Sequence, residues 1–238
     1  MTAFADRAVF FVEETVDVGA QVALSIADAQ HIGVLRLGVG ERVGLRDGVG
    51  GTASGTLVRL GRKNALVEID RAIHVAPPRS IHLLVPVADR DRMLLLAEKA
   101  AELNVTSWRP VLWQRSRSVS PRGDGPTFRN KVRSRMIAAL LQSRSAWLPE
   151  IFPEATIDRA IAAAPDGKRI VLDISGQPFH GTELAEPVVI AVGPEGGFEQ
   201  AELAELSAAG FGAASIGSSI LRFETAAIAG VSVALSML

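Results

Sequence analysis

The 238-residue sequence contains no cysteine. Disulfides, thiolate metal sites and cysteine nucleophiles are therefore excluded, and the composition fits a cytoplasmic location. No stretch approaches the roughly 18–20 uncharged apolar residues that span a bilayer, and the first residues carry no signal-peptide pattern. The dinucleotide pattern G-x-G-x-x-G, the P-loop and the serine nucleophile elbow are all missing. The four histidines, His31, His74, His82 and His180, form no i, i+3 or i+4 pair, so no metal site is expected. Lysine is scarce: Lys63, Lys99, Lys131 and Lys168 leave 21 arginines among 25 basic residues. Against these absences stand 48% hydrophobic and 21% charged residues. That is enough apolar material for a core and excludes wholesale disorder. The length suits one or two domains.

A net charge of −1 argues at first against a basic nucleic-acid coat. Its distribution says otherwise. Residues 109–144 hold Arg109, Arg115, Arg117, Arg122, Arg129, Lys131, Arg133, Arg135 and Arg144 against the single Asp124, a local charge of +8. Trp108, Trp113, Phe128 and Trp147 lie in or beside this stretch. Two readings are open: a solvated helix face with core aromatics, or an RNA or phosphate surface with aromatics that stack on bases. The lack of interspersed acids favours RNA. Arg59, Arg62 and Lys63 on a turn either extend that surface or form a solvated hairpin tip.

Residues 1–75 read as short strands over 9–12, 21–26, 42–46, 55–60 and 65–69, with one helix from Asp28 to about Leu35. Turn signals separate them, notably Asp47-Gly48-Val49-Gly50-Gly51 and Gly61-Arg62-Lys63-Asn64. Many short strands predict a small barrel. Val75-Ala76-Pro77-Pro78-Arg79 is the expected linker. From residue 80 to 238 the grammar is α/β. Strands are predicted over 81–85, 108–112, 169–174, 188–192 and 213–216, and helices over 89–103, 129–141, 157–164, from Glu199 towards Gly210, and from about residue 226 to Leu238. Continuous apolar strands alternating with helices predict a largely parallel sheet.

Two glycine loops follow successive strands. The first is Gly193-Pro194-Glu195-Gly196-Gly197-Phe198, after a buried strand. The second is Gly217-Ser218-Ser219-Ile220-Leu221-Arg222-Phe223-Glu224-Thr225. Ligands of open α/β sheets sit beyond the carboxyl ends of strands, and glycine lets backbone N–H groups approach them closely. A tight strand-to-helix turn is the plainer reading of the first loop alone. The pair together suggests one pocket floor.

These loops resemble the ribosomal RNA uridine-N3 methyltransferases of the knotted SPOUT superfamily. Further matching pieces are His31-Ile32 with Val34-Leu35-Arg36-Leu37, Glu98-Lys99-Ala100, Pro110-Val111-Leu112 with Arg115-Ser116, and Leu148-Pro149-Glu150-Ile151. The resemblance implies an N-terminal PUA-like β-barrel (residues 1–75) that binds RNA. It also implies a SPOUT-type trefoil-knotted α/β domain (residues 80–238), S-adenosylmethionine as methyl donor, and a homodimer with its active sites at the interface. The expected cofactor residues are Leu172, Gly193, Pro194, Glu195, Gly196, Gly197, Ile216, Gly217, Ser218, Ile220, Leu221 and Thr225. Ribosomal RNA, within the small subunit, is the implied partner, met by Arg115, Arg117, Arg122, Arg133 and Arg144. The implied reaction methylates N3 of a uridine in 16S ribosomal RNA. N3 lies on the pairing edge and carries a proton, so the base must be unpaired and an acceptor or anion stabiliser supplied. Arg222 and Glu224 are the expected catalytic pair, with a structural salt bridge as the alternative.

Four positions depart from the family pattern: Leu141 for a glutamate, Ser145 for an arginine, Ser219 for an arginine and Phe223 for a small polar residue. They fall where RNA or its target base is read, not in the cofactor backbone. A diverged SPOUT methyltransferase with another RNA target, or a non-catalytic RNA-binding relative, is therefore kept as an alternative.

Overall fold

The computed structural model describes residues 6–118, 122–181 and 183–238, with the side chains of Arg117 and Ser118 left out. The chain forms two compact units. One contains the residues up to Pro77 together with Leu140–Leu148; the other contains Pro78–Ala139 and Pro149–Leu238.

The first unit is built on β1 (Val9–Phe11), β2 (Gln21–Leu24), β3 (Arg42–Arg46), β4 (Gly51–Leu60) and β5 (Ala65–His74). They form a curled five-stranded sheet in the order β1-β3-β4-β5-β2. The pairing is antiparallel except for the parallel β1–β3 pair. Helix α1 (Ile26–Val34) starts at Ser25, whose Oγ accepts from the Asp28 N–H at 3.1 Å, the expected N-cap chemistry. Phe10, Val22, Ile32, Leu45, Leu57 and Val67 fill the core. Strands β4 and β5 are longer than their sequence suggests. Gly51, Ala53 and Ser54 have little strand propensity, yet they and Thr52 are buried, so tertiary pairing extends the strand.

The segment Leu140–Leu148 lies against the β3–β4 turn. Gly50 N–H donates to the Ala146 carbonyl at 3.0 Å and Leu148 N–H to the Gly48 carbonyl at 2.8 Å. Trp147 Nε1–H donates to the carbonyls of Val75 and Ala76 at 3.1 and 3.0 Å. Nothing in local periodicity marks this long-range attachment.

The second unit carries β6 (Ile81–Pro86), α2 (Arg90–Glu102), β7 (Ser107–Val111), α3 (Gly125–Ser143), β8 (Glu150–Ile151), α4 (Ile157–Ala162), β9 (Lys168–Pro178), β10 (Val188–Val192), α5 (Gln200–Ala208), β11 (Gly212–Ser215) and α6 (Phe223–Met237). The last residues of α3 belong to the first unit. The sheet order is β11-β9-β10-β6-β7-β8, and every pair is parallel. β10 is buried along its whole length, as a strand covered on both faces must be. Val189 and Ala191 meet a cluster that includes Trp113, Leu206 and Phe211. On the other face α6 packs on β6, β10 and α2. α3 begins four residues earlier than the predicted 129, because Pro126 fits a first helical turn, where its missing N–H costs nothing. The short β8 and the 3-10 turn Gln114–Ser118 have no periodic signature.

Candidate functional site

Strands β10 and β11 end on either side of β9, and the loops that leave them enclose, with the middle of β9, a pocket of about 300 Å³. Its walls are Leu172 to Ile174 in the middle of β9, Val192 to Phe198 at and after the end of β10, and residues between Ala214 and Ala226 at and after the end of β11. This is the carboxyl end of an open parallel sheet, where α/β folds place ligands.

The first loop takes its shape from two glycines. A Cβ on Gly193 would stand 2.8 Å from the Phe198 ring, and Phe198 is itself held edge-on against Trp113 at 4.9 Å. Gly197 has φ +74, and its N–H donates to the Pro194 carbonyl at 2.8 Å to close a turn. The loop then enters α5 through a capping box. Glu202 accepts from the Glu199 N–H at 2.8 Å and from the Gln114 N–H at 2.7 Å. Glu202 is buried, and these two backbone donors satisfy its carboxylate. The loop's other acids meet arginines: Glu195 pairs with Arg92, and Glu199 with Arg115 at 2.8 Å.

Gly217 of the second loop argues for a ligand. A Cβ there would meet no protein atom within 4 Å, and its φ is ordinary. Neither packing nor backbone strain requires glycine at this position, although it lines the pocket. The backbone here is left open to whatever occupies the pocket.

Ten of the twelve expected cofactor residues line the pocket: Leu172, Gly193, Pro194, Glu195, Gly196, Gly197, Ile216, Gly217, Ile220 and Leu221. Ser218 and Thr225 do not; both are exposed. Phe223 and Ala226, spaced i and i+3, take the pocket face of α6, which turns Thr225 away. Asp173, Ile174, Phe198 and Ser219 also line the pocket and were not anticipated as ligand contacts. Phe198 was legible as the end of the first motif.

Arg222 is the exposed N-cap of α6, and Glu224 is buried in its first turn. Neither lines the pocket. Among the described residues the two form no ion pair, and Glu224 Oε2 has no hydrogen-bond partner. The salt-bridge alternative is not realised.

The basic segment divides into three parts. Arg115 folds onto the first glycine loop, donating from Nη1 to the Gly196 carbonyl. Arg122 pairs with Asp124 at 3.2 Å, and its carbonyl accepts from Arg90 Nε at 2.8 Å. Arg109 lies over the Phe152 ring at 4.0 Å, and burial holds its pKa below the usual arginine range. Arg133 is half-buried on α3. Arg144 is exposed in the first unit, with φ 58 after the end of α3, a conformation that costs a non-glycine residue roughly 1–2 kcal/mol. The Arg117 side chain lies outside the described residues. Trp108, Trp113 and Phe128 are buried core residues, and Trp147 is tied to the first unit. For Trp108, Trp113 and Phe128, the core reading holds. Among the described residues no group of His, Asp or Glu is arranged to hold a metal, and no helix is long and apolar enough to cross a membrane.

A glycine-lined pocket over a parallel sheet defines an α/β domain of the ligand-binding kind, in a chain that also carries a curled β-sheet unit. Residues 76–235 match the model of the RNA methyltransferase domain, and residues 27–70 that of the RNA methyltransferase PUA domain. The chain belongs to the RNA methyltransferase family. It is 27% identical over 233 residues to the ribosomal RNA small subunit methyltransferase E of Mycobacterium bovis, covering 92% of this chain and 87% of the relative. Among solved structures it resembles a Legionella pneumophila methyltransferase in complex with the cofactor SAM. The TM-score is 0.87 at 26% identity, over 96% of this chain and 97% of that one. It also resembles the ribosomal RNA small subunit methyltransferase E of Neisseria gonorrhoeae bound to S-adenosyl methionine. Here the TM-score is 0.85 at 28% identity, over 94% and 95% of the two chains.

Proposed function

We propose that this protein transfers a methyl group from S-adenosylmethionine to N3 of a uridine in 16S ribosomal RNA. The observation that carries the reading is the pocket that two glycine loops at strand ends enclose over the middle of β9. Apolar walls from Leu172, Val192, Leu221 and Phe223 suit a flat heterocycle, and the backbone of the two glycine loops that line the pocket suits its polar edge. The residues present therefore fit the cofactor, which when bound supplies an electrophilic methyl group. Relatives named as small-subunit methyltransferases support the RNA class, and the uridine N3 specificity is consistent with them.

The chain's own residues have two tasks: to hold the flipped uridine and to manage its N3 proton. Arg222 offers positive charge to the uridine carbonyls as N3 loses its proton. Glu224, with one carboxylate oxygen lacking a partner, takes that proton or orients Arg222. Arg122, Arg133 and Arg144 meet RNA phosphates, and the first unit serves as the RNA-binding module. The reading includes a trefoil knot in the second unit, a cytoplasmic location and a homodimer with the pocket at its interface. Ile220 and Ile174 at the pocket are 88% and 52% exposed, apolar surface that a second copy would cover.

Ser219, lining the pocket where the family carries arginine, supports the second reading of a different RNA target or a non-catalytic RNA-binding protein. Calorimetry with S-adenosylmethionine, followed by methyl transfer to small ribosomal subunits, separates the leading reading from the second. Binding with transfer supports the leading function, and binding without transfer supports the second. No binding removes the cofactor from both.

A further inference from the structure

The Gly196–Gly197 peptide of the pocket wall lies between two residues that carry no Cβ. Gly197 sits at φ +74, and rotating a peptide between two glycines meets no Cβ. The structure holds this peptide from both sides. Its N–H donates to the Pro194 carbonyl at 2.8 Å, and its carbonyl accepts from Arg115 Nη1. Arg115 does not act alone. Its Nε donates to Glu199 at 2.8 Å, and the neighbouring Gln114 N–H is bound by Glu202 at 2.7 Å. A Cβ on Gly196 would lie 3.0 Å from Arg115 Cδ and 3.2 Å from its Cβ, so the arginine stem packs on the loop as well as bonding it.

We propose that Arg115 is a positioning residue for the cofactor loop rather than a reader of RNA. Its planar fork spans two acceptors, a carboxylate and a backbone carbonyl, which a lysine ammonium on a flexible stem does not hold in one fixed geometry. The 3-10 turn at the head of the basic segment thus sets the shape of the pocket floor. This inference rests on the cofactor reading above.

The test measures S-adenosylmethionine binding by calorimetry and the binding of a fluorescein-labelled mixed-sequence RNA by anisotropy, on the full chain and its R115A, R115K and E199Q variants. R115A is expected to weaken cofactor binding by about tenfold, the loss of roughly two modest hydrogen bonds, and to leave RNA binding within about twofold. R115K should not restore it, and the KM for the cofactor should rise while kcat at saturation holds. E199Q, which leaves the arginine in place, should shift cofactor binding in the same direction by less. Wild-type cofactor affinity in R115A with weakened RNA binding overturns the proposal, as does full rescue by R115K. If the unaltered chain itself fails to bind the cofactor, the pocket assignment falls, and that outcome appears before any variant is compared.

Discussion

Gly193 and Phe198 show how one missing side chain shapes the pocket. The Phe198 ring occupies the space a Cβ on Gly193 would need, 2.8 Å away. G193A is expected to displace that ring from Trp113, cost about 1–3 kcal/mol of stability, and weaken S-adenosylmethionine binding. Denaturant unfolding and calorimetry on the same preparation check both parts. Glu224 allows a cleaner separation of chemistry from binding. E224Q keeps the side-chain volume, so cofactor affinity should hold while the single-turnover methylation rate falls by about 10²–10⁴. An unchanged rate would remove Glu224 from the mechanism.

His82 supplies a pH prediction at the same scale. Its ring lies between Ser107 Oγ at 2.7 Å and Ser80 Oγ at 3.0 Å, and burial pushes its pKa below the ordinary 6.5. The unfolded chain therefore takes up a proton first as the pH drops. The stability contribution is complete above pH 6.5 and is lost as the pH falls below it. Urea midpoints measured from pH 7.5 to 5.5 should decline, and H82Q should flatten the decline.

Among the elements, the connection from β7 to α3 and the connection from β10 to α5 are locked together by Glu202. E202A leaves the Gln114 and Glu199 N–H groups without their acceptor and is expected to cost about 1–3 kcal/mol. For a chain of this size that lowers Tm by several degrees, readable by calorimetric melting. The same elements mark where sequence reasoning ran out. Apolar strands such as β10 and the glycine loops were legible because burial and backbone approach each leave a local residue signature. The attachment of Leu140–Leu148 to the first unit was not, since it depends on backbone carbonyls that any residue carries. Arg115 reads as a nucleic-acid contact in the sequence, where its charge is visible and its ion pair with Glu199 is not. Glu199 stands 84 positions away from it. Trp108 and Trp113 differ for the opposite reason: flanking arginines suggest stacking, while burial places both in the core.

At the scale of the molecule, the charge of −1 conceals a +8 segment, parts of which are consumed internally by Asp124, Glu98 and Glu199. RNA affinity should consequently depend less steeply on salt than the number of arginines suggests. Light scattering should find a dimer, and I220D should shift it towards monomer if the exposed pocket rim forms the interface.

The most direct measurement is mass spectrometry of 16S ribosomal RNA from a strain of the source organism that lacks this gene. The account predicts loss of one N3-methyluridine, its return with the wild-type gene, and no return with E224Q. An intact N3-methyluridine in the deletion strain would contradict it.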